Sequence, residues 1–201
     1  MRLYDNPASP FVRKVRIRLQ ETGQEADVEM IPAIGNPLDS AKVPTAQNPL
    51  GKIPTLERDD GPALHDSRVI CRYLDDRGGS KLYPLAPRLW EVLTLEATAD
   101  GIMDAAVLMR YEVGVRPAEK QFGGWLDAQW GKIARALDAI EARWMGHLAG
   151  PIDMGQIAVA CALGYLDFRH AARDWRADHP ELAAWYARFA ERDSMQATKP
   201  G

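Results

Sequence analysis

The stretch "NPASPFVRKVRIRL", residues 6–19, passes from a turn into a basic helix. Its centre, Ser9-Pro10-Phe11-Val12, has the shape of a C-x-x-C redox tetrad in which both cysteines are replaced. A serine before a proline is a favoured helix start, with the hydroxyl as cap and the proline at the first helical position. A thiolate placed there would gain from the helix N-terminus. A serine hydroxyl cannot exchange disulfides, but it can donate a hydrogen bond to a thiolate that a ligand brings.

Outward from this stretch the first 78 residues mix short strand-like runs with helices: "MRLYD", a helix from Pro10 to about Glu21, "DVEMIP", a weak helix around 38–47, "IPTLER", "PALH", and a helix from Asp66 to Asp76. That order predicts a small mixed sheet with helices packed against it. "DRGGSKLYPLAPR", residues 76–88, concentrates glycine and proline as a linker does. The expected organisation is therefore an α/β domain over 1–78, a linker over 79–88, and an all-helical domain over 89–201. Leu95, Ala99, Ile102, Ala106 and Met109 recur at helical spacing, and Trp125, Ile133, Leu137, Ile140 and Trp144 fall on a second stripe. "IDMGQIAVA" predicts a capping box, with Asp153 capping, Gln156 reaching back, and Ile152 and Ile157 as the hydrophobic staple. "HPELAAWYARF" starts a last helix at Pro180.

Composition narrows the partners. The 25 Lys and Arg are interspersed among 28 Asp and Glu for a net charge of −3, with no long run of one sign, which argues against nucleic acid. The longest apolar run, "IAVACALGYL" at 157–166, is about half of the roughly 20 residues that a membrane span needs, and reads as a core helix. "MRLYDNP" has no apolar signal region, and two distant cysteines, Cys71 and Cys161, form no disulfide framework. A cytoplasmic, reducing location is expected. The four histidines lack metal-ligand spacing, and neither G-x-x-x-x-G-K-[ST] nor G-x-S-x-G occurs, so no metal is expected. His65, Asp66 and Ser67 are sequence neighbours at a helix start and point in different directions, so they form no triad.

Two further motifs invite a chemical reading. In "NPLGKIPTLE", residues 48–57, a cis bond before Pro54 would present the backbone N–H and C=O of Ile53 outward, ready to pair with an extended peptide. An ordinary trans proline at a strand start is the competing reading. In "ALHDSRVICRYLDD", residues 63–76, Asp66 and Ser67 lie at a helix N-terminus, either as simple caps or as ligands for a carboxylate and an ammonium group.

Taken together, "SPFVRKVRI", "NPLGKIPTL" and "DSRVICRYL", followed by an all-helical second half, resemble the glutathione S-transferase superfamily, specifically its bacterial members with a serine at the active site. The resemblance runs over nearly the whole chain. It implies a thioredoxin-like N-terminal domain, an all-α helical-bundle C-terminal domain, a cis-proline at Pro54, glutathione as co-substrate between the two domains, and a homodimer. Carried over by position, Ser9 faces the glutathione sulfur, Ile53 pairs with the cysteinyl backbone, and Asp66 and Ser67 hold the γ-glutamyl end. Lys52 is the candidate for the glycyl carboxylate. One departure is visible: the family's Ser/Thr-x-x-Asp box stands here as Asp153-x-x-Gln156.

The function that follows is activation of the glutathione thiol for attack on a small apolar electrophile in a detoxifying role. A free thiol, with a pKa of about 8.5, is only slightly ionised at neutral pH, yet the thiolate is the nucleophile. The electrophile is expected against the first helix of the second domain, where Met103, Val107 and Tyr111 at four-residue spacing are either an apolar wall or core. Addition, halide displacement, isomerisation and peroxide reduction all stay open. The rival readings are a glutathione-binding or protein-interaction scaffold without turnover, and a glutathione-dependent oxidoreductase, against which the missing cysteine at position 9 counts heavily.

Overall fold

The computed structural model describes residues 1–200, with Ala41 described by its backbone alone. Two units make up the chain, one formed by Met1–Tyr83 with the C-terminal segment from Asp193, the other by Pro84–Arg192. The first carries a four-stranded sheet built from β1 (Arg2–Asp5), β2 (Glu29–Pro32), β5 (Thr55–Arg58) and β6 (Gly61–Leu64) in the order β2-β1-β5-β6. β1 runs parallel to β2 and antiparallel to β5, which is antiparallel to β6. Helices α1 (Pro10–Glu21) and α2 (Ser67–Gly78) pack against each other. Their helical spacing explains why: Val12, Val15 and Leu19 on α1 and Ile70 and Leu74 on α2 are fully buried, as are Leu3 and Leu56 of the sheet. Gly79 ends α2 in the left-handed region at φ 60°, a conformation in which a side chain is costly.

The weak helix expected around 38–47 is not formed. Residues Ile34–Asn36 (β3) and Asp39–Lys42 (β4) pair as an antiparallel hairpin instead. The cause is local: the Asn36 Oδ1 accepts the N–H of Leu38 at 2.8 Å and of Asp39 at 3.1 Å, an Asx turn that offers the backbone the hairpin connection in place of a helix.

In the second unit α3 (Arg88–Val115), α4 (Gly123–Leu148), α5 (Met154–His170) and α6 (Pro180–Phe189) form the bundle. α5 is buried continuously from Met154 to Leu166, which is why its sequence reads as an unbroken apolar run. Around it, Leu95, Ala99, Ile102, Ala106 and Met109 of α3 and Ile133, Leu137 and Ile140 of α4 are buried. Trp125 departs from the expected stripe and stays exposed, because it lies in the first turn of α4.

Two expectations about this half need correction. Asp153 caps α5, accepting the Gln156 N–H at 3.2 Å, but Gln156 does not reach back. Its side-chain amide points to the carbonyls of His147 (3.1 Å), Gly150 (3.1 Å) and Pro151 (3.2 Å), supplying a donor to the last turn of α4 and the turn that follows it. Asp153 is buried with Arg88 Nη2 at 3.2 Å and His147 Nε2 at 2.8 Å from its Oδ2. The second correction concerns the C-terminus. Helix α7 (Asp193–Ala197) belongs with the first unit, not with the helical half expected over 89–201. Arg13 of α1 donates to the Met195 carbonyl at 3.0 Å, and the Ser194 hydroxyl donates to Glu21 at 2.5 Å. Residue 201 lies outside the described residues.

Candidate active site

Sheet register decides which motifs meet. Tyr4 of β1 lies opposite Thr55 of β5, and Leu56 of β5 opposite Leu64 of β6. The end of β1, the start of β5 and the end of β6 therefore share one end of the sheet. From that end the chain leaves β1 toward Ser9, enters β5 through Ile53 and Pro54, and leaves β6 toward Asp66 and Ser67. Three stretches far apart in sequence converge.

Ser9 is the N-cap of α1, half-buried, with Pro10 in the first turn. Its hydroxyl oxygen accepts the Val12 N–H at 3.3 Å. The preceding turn is set by Asn6, whose Oδ1 accepts the Ala8 N–H at 3.0 Å and whose carbonyl accepts the Ser9 N–H at 2.9 Å. Asp5, at the end of β1, has its carboxyl pushed above the ordinary range by burial, with Arg16 3.8 Å away pulling in the opposite direction.

The Ile53–Pro54 peptide bond is cis, as are His65–Asp66 and Ala86–Pro87. Ile53 is half-buried, and its backbone N–H and C=O have no hydrogen-bond partner among the described residues. Pro54 is buried and Lys52 exposed. The loop is organised by a residue that sequence reasoning passed over, Asn48, which is 1% exposed. Its side-chain amide donates to the Lys52 carbonyl at 2.9 Å and to the Thr55 hydroxyl at 3.2 Å, and its Oδ1 accepts the Leu50 N–H at 3.1 Å. The Asn-Pro pair opening the motif, a turn signal, was the available clue.

At the start of α2 the two neighbours separate in role. Asp66 is the cap, accepting the Arg68 N–H at 3.0 Å, with Arg68 Nη2 3.3 Å from its other oxygen. Ser67 occupies the first helical position, is 2% exposed, and its hydroxyl has no hydrogen-bond partner among the described residues. It is not a cap.

On α3 the three candidates differ as well. Met103 has no exposed surface and is a core side chain, whereas Val107 and Tyr111 are half-buried. Burial holds the Tyr111 phenol above its ordinary pKa, and its neighbour Tyr165 on α5 is pushed up to about 12, again by burial first. Both hydroxyls are thus protonated donors at neutral pH. His170 packs edge-on against Tyr165, and its Nε2 lies 2.9 Å from the Ala106 carbonyl.

A family model of the glutathione S-transferase N-terminal domain matches residues 3–81, and one of the glutathione S-transferase C-terminal domain matches residues 123–188. The chain belongs to the glutathione S-transferase family. A glutathione transferase family member from Pseudomonas fluorescens Pf-5, with bound glutathione, is 50% identical over 100% of this chain and 98% of its own, with a TM-score of 0.95. A structure from the same organism with bound S-(propanoic acid)-glutathione is also 50% identical, covers 100% of both chains and has a TM-score of 0.93. The uncharacterized GST-like protein YibF of Escherichia coli (strain K12) is 36% identical over 100% of this chain and 98% of its own length. For this glutathione S-transferase family member, the matched N-terminal region contains Ser9, Lys52, Ile53, Pro54, Asp66 and Ser67. Met103, Val107 and Tyr111 fall between the two matched regions.

Proposed function

We propose that this chain is a serine-type glutathione transferase that holds the glutathione thiol as a thiolate for attack on a small, apolar electrophile. The observation that carries the reading is the convergence of Ser9, the unpaired Ile53 backbone and the uncapping Ser67 at one end of the sheet. In this reading the Ile53 N–H and C=O pair with the cysteinyl backbone beside Pro54. Ser67 and the α2 N-terminus take the γ-glutamyl carboxylate, Asp66 accepts from its ammonium group, and exposed Lys52 serves the glycyl carboxylate. Glutathione bound to the half-identical Pseudomonas relative supports the ligand assignment.

Ser9 then acts on the sulfur. Its oxygen already accepts the Val12 N–H, so its proton is the group left to donate, and the thiolate is the acceptor. Lowering the thiol pKa by two units takes about 2.7 kcal/mol of preferential stabilisation of the anion. A hydroxyl donor and the N-terminal field of α1, each on the order of 1 kcal/mol or slightly more, supply most of it. Val107 and Tyr111, which keep exposed surface, are the wall for the electrophile, with Met103 packed in the core behind them. Cys71 and Cys161 are buried and in no disulfide, which accords with a cytoplasmic location and leaves the nucleophilic sulfur to the ligand. The working assembly in this reading is an isologous homodimer.

Turnover of a panel of electrophiles with glutathione, run beside retention on immobilised glutathione, tests the reading. Conjugate formation is expected. Retention without turnover would favour a binding scaffold.

A further inference from the structure

Asn48 is buried to 1% exposure beneath the loop that carries Ile53, and every hydrogen-bonding group of its side chain is engaged. Its backbone is held too, the N–H donating to the Pro44 carbonyl at 2.7 Å and the C=O accepting the Gly51 N–H at 2.9 Å. We infer that Asn48 is a positioning residue for glutathione, acting on affinity through the Lys52–Ile53 peptide unit without touching the ligand. The inference rests on the proposed pairing of glutathione with the Ile53 backbone.

The geometry runs through one peptide plane. The Lys52 carbonyl receives two donors, the Asn48 amide at 2.9 Å and the Thr55 hydroxyl at 3.0 Å. That carbonyl and the Ile53 N–H belong to the same planar unit, and in a trans peptide the two point in opposite directions. Anchoring the oxygen toward Asn48 and Thr55 therefore fixes the Ile53 N–H toward the other side, where it has no partner among the described residues. Asn48 further donates to Thr55 itself at 3.2 Å, so both anchors are held by each other. Without them the plane is free to rotate, and the N–H must be ordered anew each time ligand binds.

The choice of asparagine is chemical. Aspartate at this position would keep an acceptor for the Leu50 N–H but would present an oxygen to the Lys52 carbonyl where a donor now stands. Asn48→Asp is expected to be at least as harmful as Asn48→Ala.

Calorimetric titration with glutathione of the wild type, Asn48→Ala, Asn48→Asp and Thr55→Val, each with a melting curve, tests this. Asn48→Ala should raise the glutathione Kd about tenfold, as losing one anchoring hydrogen bond implies, with kcat at saturating glutathione within about threefold of wild type. Combining Asn48→Ala with Thr55→Val should cost less than the product of the two effects, because both act on one carbonyl, whereas Asn48→Ala with Ser67→Ala should multiply. A merely structural asparagine would lower the melting temperature and leave the Kd of the folded protein and this coupling pattern unmoved. If Asn48→Ala does not fold, Thr55→Val carries the same comparison, since it removes the second donor to the same oxygen. Unchanged Kd in folded variants overturns the inference alone; a wild type that binds no glutathione overturns the proposed function as well.

Discussion

The hydroxyl oxygen of Ser9 accepts the backbone N–H of Val12 across 3.3 Å, and nothing among the described residues accepts the hydroxyl's own proton. A cap made at that distance is long for a hydrogen bond to an oxygen. The residue thus performs a local structural task while keeping the donor that a thiolate would need.

Ser67→Ala should weaken glutathione binding by roughly 1–3 kcal/mol, the worth of a charge-assisted bond to a ligand carboxylate. Because Asp66 and not Ser67 caps α2, the melting temperature should stay close to wild type. Calorimetry alongside a thermal melt checks both halves, and unchanged affinity would return Ser67 to the role of an ordinary buried serine.

Gln156→Glu should destabilise the second unit by more than the roughly 1–3 kcal/mol that losing one buried hydrogen-bond partner costs. The side-chain amide of Gln156 faces the carbonyls of His147, Gly150 and Pro151, and a carboxylate there would set acceptor against acceptor in a buried place. Urea denaturation measures it. A midpoint equal to wild type would contradict the role assigned to this residue.

These two residues also show where sequence was legible. The β-α-β opening, the α1 boundaries and the buried stripes of α3 and α4 were readable because apolar spacing and Ser-Pro capping are local signals. Gln156 was misread because its partners lie on the preceding helix end, so the capping-box spacing was present without its second hydrogen bond. The 38–47 segment, expected as a weak helix, is part of a hairpin because the Asn36 side chain at the Asn36-Pro37 turn accepts the N–H groups of Leu38 and Asp39. The attachment of α7 to α1 through Arg13 and Met195, 182 residues apart, leaves no trace in local pattern. Within the proposed site, Ser9, Ile53 and Ser67 stand in motifs that local sequence displays, whereas Asn48 bonds its neighbours' backbone and carries only the turn signal of Asn-Pro.

Stability should fall on acidification in a way His170 governs. Burial, together with Arg173, Arg110 and Arg169, holds its ring below the ordinary value of 6.5, although the Ala106 carbonyl pulls upward. A depressed histidine favours the neutral folded form, so its contribution is fully present above 6.5 and is lost as pH falls through the lower folded value. Melting temperatures of wild type and His170→Gln, compared from pH 7.5 downward to about 5, should diverge above and converge below that window. Parallel curves would contradict the assignment.

The proposed homodimer predicts a sedimenting species of twice the chain mass across micromolar concentrations. A species of single chain mass over the whole range would rule it out.

In the proposed mechanism Ser9 serves a sulfur belonging to the ligand, and ultraviolet titration of enzyme-bound glutathione against pH reads that interaction itself. Ser9→Ala should raise the pKa of the bound thiol and depress turnover near neutral pH with glutathione affinity near wild type, because the hydroxyl stabilises the thiolate far more than the thiol, and should cost about 1 kcal/mol of stability through the lost cap. A serine that only caps would cost the same stability on removal and leave the titration where it was. A thiol that titrates identically in wild type and Ser9→Ala, with a lowered melting temperature, would leave Ser9 as a structural cap with no part in activating the sulfur.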